Sequence, residues 1–69
     1  MRQFEVAITV KGKKTKYPPM GGNKALALME RLTQRGFSPL ALTNANGVDD
    51  VLTLNEMKEI YEDFLAADV

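Results

Sequence analysis

Apolar side chains occupy every second position over Phe4, Val6, Ile8 and Val10, with Glu5, Ala7 and Thr9 between them. Period two predicts a strand with one apolar face. Lys11-Gly12-Lys13-Lys14 interrupts the alternation, and Thr15-Lys16-Tyr17 resumes it. A two-residue type II′ turn at Gly12-Lys13, glycine first, is the expected connection. It opposes Lys11 to Lys14, Val10 to Thr15, Thr9 to Lys16 and Ile8 to Tyr17. Directly opposed residues share a face. Thr15 and Tyr17 therefore join the apolar face, and Lys11, Lys14 and Lys16 lie on the solvent face. Lys13 projects from the turn. Pro18 and Pro19 end the strand, since neither can donate to a ladder.

A helical period follows. Gly21-Gly22 turns the chain, and Asn23 is the expected N-cap of a helix running to about Arg35. Ala25, Leu28, Met29 and Leu32 form its apolar stripe, and Leu26 either widens that stripe or stays partly exposed. Gly36 reads as the C′ residue, with Phe37 closing over the last turn in a Schellman arrangement.

Pro39 to Ala45 reads as strand, and Asn46-Gly47 is the strongest hairpin signal in the chain. A turn there opposes Ala45 to Val48, Thr43 to Asp50, Leu42 to Val51 and Ala41 to Leu52. Leu40, Ala41 and Leu42 are consecutive, so the alternation is weak and these strands are expected to be buried on both faces or irregular near the turn. Thr53-Leu54-Asn55-Glu56 is a capping box. The helix it opens places Leu54, Met57, Ile60, Tyr61, Phe64 and Leu65 toward a core. Glu56, Glu59, Glu62 and Asp63 lie on or beside its solvent face.

The expected fold is α+β, in the order ββαββα. It is a two-layer domain, an antiparallel sheet of three or four strands with two helices on one face. Residues 1–69 make one small domain, and a chain of this length buries about 60% of its unfolded surface. Met20, Leu26 and Leu40 exceed what the simplest core requires. Each either covers the sheet or contributes to a small apolar contact site.

Charge then divides the chain. Residues 1–36 hold eight Lys and Arg against two Glu, a net of +6, and residues 37–69 hold one Lys against seven Asp and Glu, a net of −6. The total is zero, which removes the long-range repulsion that keeps small proteins apart. Local fields of this kind act on partners and association rates rather than on fold.

Catalytic chemistry is poorly supplied. The chain has no His and no Cys, so the commonest proton shuttle and thiolate chemistry are absent. Ser38 is the single serine, stands before Pro39, and has no evident base. Asp49 and Asp50 are adjacent in a predicted strand and so point to opposite faces. Asn44 to Glu56 has a superficial likeness to a calcium loop, but no register supplies ligands at 1, 3 and 5, Gly at 6 and Glu at 12. Gly21-Gly22-Asn23-Lys24 matches neither phosphate-loop motif. No enzyme, cofactor or metal site is expected.

No apolar run reaches signal-peptide or membrane-span length, and a cytoplasmic location is the expectation. The expected function is a non-enzymatic protein-interaction or regulatory module. Lys11, Lys13, Lys14, Lys16 and Lys24 are its basic contact candidates, and Glu56, Glu59, Glu62 and Asp63 form a candidate acidic docking face. The partner is another protein or a second copy, giving a homodimer in which opposite patches meet. The alternative is phosphate contact with nucleic acid through the Lys11–Lys16 hairpin. That patch has no exposed aromatic for base stacking, because Phe4 and Tyr17 fall on the buried face.

Overall fold

The alternating first segment becomes β1 (Gln3–Val10), an interior strand of an antiparallel sheet in the computed structural model. Residues 3–45 and 47–67 are described, without the side chains of Ala45, Val48 and residues 62–67. The remaining elements are β2 (Lys13–Lys16), β3 (Met20–Gly21), α1 (Gly22–Gln34), β4 (Leu40–Ala45), β5 (Val48–Leu52) and α2 (Leu54–Ala67). Strand order is β2-β1-β4-β5, with the short β3 also pairing β1. The α+β architecture is therefore as expected, with one extra two-residue strand.

That extra strand explains a displaced helix start. Tyr17 N–H donates to the Val6 carbonyl at 2.8 Å, and Met20 then pairs with Phe4 and Gly21 with Gln3. The chain thus follows β1 past Pro18 and Pro19 and enters α1 directly. Gly21, with extended backbone at φ −68° and ψ 162°, takes the N-cap place without a side-chain hydrogen bond. Asn23, the expected cap, lies inside the first turn.

The first turn also differs from expectation. Val10 pairs with Lys13, Thr9 with Lys14, Ile8 with Thr15 and Ala7 with Lys16. Lys11 and Gly12 form the turn, at φ 50° and 80°. Two positive φ values fit type I′, whose twist matches the right-handed twist of the paired strands. The register moves by two residues, so Lys14 and Lys16 keep their face. Lys13 moves from the turn into the ladder opposite Val10, on the helix-side face. Lys11 moves from the strand into the turn.

The second hairpin has the expected register, from Ala41–Leu52 to Ala45–Val48. Gly47 has φ 77°, and Asn46 lies outside the described residues. At the end of α1, Gly36 N–H donates to Thr33 O at 3.0 Å and Phe37 N–H to Leu32 O at 3.1 Å. These two bonds are the Schellman motif. At the start of α2, Thr53 N–H donates to Glu56 Oε1 at 3.0 Å, and Glu56 N–H to Thr53 Oγ1 at 3.3 Å. Both halves of the capping box are formed.

The core lies between one sheet face and the helices. Phe4, Val6, Ile8, Ala41 and Leu52 meet Ala25, Leu26, Met29, Leu32 and Met57. Phe4, Val6, Leu26, Met29 and Met57 are fully buried, each side chain stabilising by about 1.5–3 kcal/mol relative to exposure. Thr43 is buried too, and its hydroxyl donates to the Gln3 carbonyl at 2.9 Å. Tyr61 stands edge-on to Phe4, with centroids 5.9 Å apart and planes at 87°.

Ile60 is 50% exposed rather than on the core face. At about 100° per residue, Leu54 and Tyr61 fall to one side of Met57 and Ile60 to the other. The buried stripe is centred on the first group. Phe64 and Leu65 have side chains outside the described residues. A pair 3.8 Å apart, Lys58 Nζ to Glu30 Oε1, links the exposed sides of the two helices. Among the described residues, no helix is long and apolar enough to cross a membrane.

Candidate functional site

Both helices pack on one face of the sheet, and pleating sends alternate side chains to the other. Cross-strand register sets out that open face in rows. Lys16, Ala7 and Leu40 form one row. Glu5, Leu42 and Val51 form the next. Asn44 and Asp49 form a third. Lys14, opposite Thr9, stands beyond the first.

The centre of this face is aliphatic except for Glu5, which is half-buried beside Leu42. Ala7 is buried at 4% exposure, Leu42 is half-buried, Leu40 is 38% exposed and Val51 52% exposed. Of the three aliphatic residues in excess of the simplest core, Leu26 is fully buried and Met20 packs against the core. Leu40 remains at the surface, where it joins Leu42 and Val51. A shallow concavity of about 610 Å³ runs across the face, lined by Glu5, Lys16, Leu42, Asn44, Asp49 and Val51, among others. Leu40 also borders a smaller recess of about 320 Å³ with Phe37, Pro39 and Leu54. Apolar surface therefore continues around the end of the sheet.

Charge brackets the apolar centre diagonally. Lys14 and Lys16, both exposed, occupy the β2 corner. Asp49 occupies the opposite corner on β5, where Asn44 Nδ2 donates to its Oδ1 at 2.6 Å. That cross-strand bond fixes the carboxylate on the rim of the concavity.

The sheet edges are guarded. In two-residue hairpins, the backbone groups of Lys14, Lys16 and Val51 point away from the neighbouring strand. Along β2 those groups lie between lysine side chains and end at Pro18 and Pro19, a composition that discourages strand addition. Along β5 the Val51 N–H donates to Asp50 Oδ1 at 3.1 Å. The outer edge of β5 thus has a donor already engaged by its own chain.

The other sequence candidates are dispersed. Lys11 is exposed in the turn, and Lys13 is exposed opposite Val10 on the helix-side face. Lys24 is exposed in α1, in the helix layer. Glu56 is exposed but engaged in the capping box. Glu59 is exposed on α2, while the side chains of Glu62 and Asp63 lie outside the described residues. The structure gathers Lys14 and Lys16 with Asp49 and the aliphatic centre, a combination that charge counting along the chain does not reveal. Its sequence signal is the second hairpin register, which puts Leu42 and Val51 on one face and Ala41 and Leu52 on the other.

Among the described residues, no group of three or more carboxylates, imidazoles or thiols could hold a metal ion. Ser38 lines the smaller recess beside Thr33, Thr53 and Asn55, none of which is a general base. Comparison with protein-family models, curated proteins and solved structures finds no match to the chain.

Proposed function

We propose that the protein is a non-enzymatic interaction module that docks a protein partner through the open face of its sheet. The supporting observation is the aliphatic band of exposed Leu40 and Val51 with half-buried Leu42, bracketed by Lys14 and Lys16 on one corner and Asp49 on the other. Apolar contact supplies the binding free energy in such a site. The two charged corners orient the partner and speed its approach more than they tighten the complex. Among the described residues the face carries no aromatic side chain on which a base could stack, since Phe4 and Tyr17 pack toward the core. A protein surface suits it better than a nucleic acid.

Affinity capture from native lysate, with and without nuclease, tests this reading. Wild-type protein is expected to retain its partners through nuclease treatment, and Val51→Lys to lose them. Capture that disappears with nuclease and falls with Lys14→Glu plus Lys16→Glu, but not with Val51→Lys, contradicts it.

A further inference from the structure

We infer that the open sheet face docks a second copy of this chain, forming a two-fold dimer in which Lys14 and Lys16 of each copy meet Asp49 of the other. This rests on the docking role of the face and names its occupant. A two-fold interface must be complementary to itself. A face of one sign would repel its copy, whereas this face carries opposite signs at opposite corners around an aliphatic centre interrupted by Glu5. The chain is also neutral overall, so no long-range repulsion opposes approach. Edge-to-edge association is disfavoured at both ends of the sheet, by the lysines of β2 and by the Asp50 contact on β5. The face is the remaining sheet surface.

Geometry restricts the arrangement further. Lys16 and Asp49 are separated by three strand spacings, about 14 Å, and by two rows, again about 14 Å. The line joining the charged corners therefore crosses the strands at about 45°. The two-fold axis must lie in the interface, perpendicular to that line. It then carries the strands of one sheet to about 90° from those of its partner, the orthogonal class of sheet packing. Leu42 and Glu5 fall beside the axis. Glu5 is half-buried and meets its own counterpart there, so it opposes the dimer.

Size sets the expected strength. Four strands about 4.8 Å apart and about six residues long project roughly 400 Å². Two copies then cover roughly 800 Å², below the range of stable interfaces. The dimer is weak and reversible.

Sedimentation at low salt, up to millimolar protein, is the test. Wild-type protein is expected to dimerise reversibly, and less so at high salt. Lys14→Glu plus Lys16→Glu in one chain, and Asp49→Lys in another, should each weaken the dimer about tenfold or more. Mixing these two variants should restore it, because every corner contact is again between opposite charges. Glu5→Gln should tighten it. All these positions are exposed or half-buried, and unchanged circular dichroism will confirm folding. A wild-type monomer at every concentration, or variants that do not recover on mixing, overturns the dimer. If lysate capture still depends on Val51 while the protein is monomeric, the docking role stands and the occupant is a different protein. If both fail, the docking role fails with it.

Discussion

Gly22 lies against the ring of Tyr61 so closely that a Cβ at Gly22 would overlap its phenol end, at Cζ, Cε1 and the hydroxyl oxygen. The contact joins the first residue of α1 to the middle of α2, and Tyr61 also stands edge-on to Phe4 in β1. One aromatic side chain thus connects the sheet and both helices. The glycine is required by close approach, not by backbone conformation. Gly22→Ala would ordinarily favour the helix by up to about 1 kcal/mol. Here it is expected to cost about 1–3 kcal/mol through overpacking. Urea unfolding will give the sign. In a Tyr61→Ala background the same substitution should become neutral or stabilising, and equal losses in both backgrounds would show that the contact is unimportant.

Lys11 holds φ 50° in the first turn, a conformation costing a non-glycine residue about 1 kcal/mol. Asparagine adopts it more readily and makes the preferred pair with a following glycine. Lys11→Asn is expected to raise stability by roughly 0.5–1 kcal/mol, measured by thermal unfolding. A loss of stability would contradict the type I′ assignment.

Thr53 and Glu56 satisfy each other's backbone N–H groups at the start of α2. Thr53→Ala should cost about 1 kcal/mol, and Glu56→Ala should also lower stability. Neither should alter self-association, because the capping box lies at the helix end. If Glu56→Ala weakens association as much as Asp49→Lys does, the acidic docking surface is on α2 and not on the sheet.

Asp50 engages the outward N–H of Val51. Replacing it by alanine frees a strand-edge donor for pairing with another chain. Asp50→Ala is expected to increase thioflavin-positive aggregation on prolonged incubation, in contrast to the reversible dimer proposed for the native protein. Equal aggregation of both proteins would remove this role for Asp50.

Much of the fold was legible because its signals are local. Asn46-Gly47 specifies a hairpin register, Thr53 and Glu56 a helix start, and Gly36-Phe37 a helix end. The N-cap was misplaced because the pairing of Met20 and Gly21 with β1 joins residues far apart in sequence. The first turn was misplaced because Lys11-Gly12 and Gly12-Lys13 both supply a glycine. Types I′ and II′ both match the strand twist, so turn chemistry does not choose between them. The open sheet face was legible only in part. Leu40-Ala41-Leu42 announces apolar side chains on both sides of β4, but which side receives the helices is a tertiary fact. Charge along the chain suggested two opposed patches, and folding instead brings Lys14, Lys16 and Asp49 onto one surface while Lys24 and Glu59 stay with the helices.

The most direct measurement is a concentration series of amide and methyl NMR spectra, assigned residue by residue. Progressive shifts confined to Ala7, Leu40, Leu42, Val51 and the flanking Lys14, Lys16 and Asp49 are predicted, with Ile60 and Glu59 unmoved. Shifts centred on the helix layer, or spectra unchanged up to millimolar concentration, would contradict self-association through the open face.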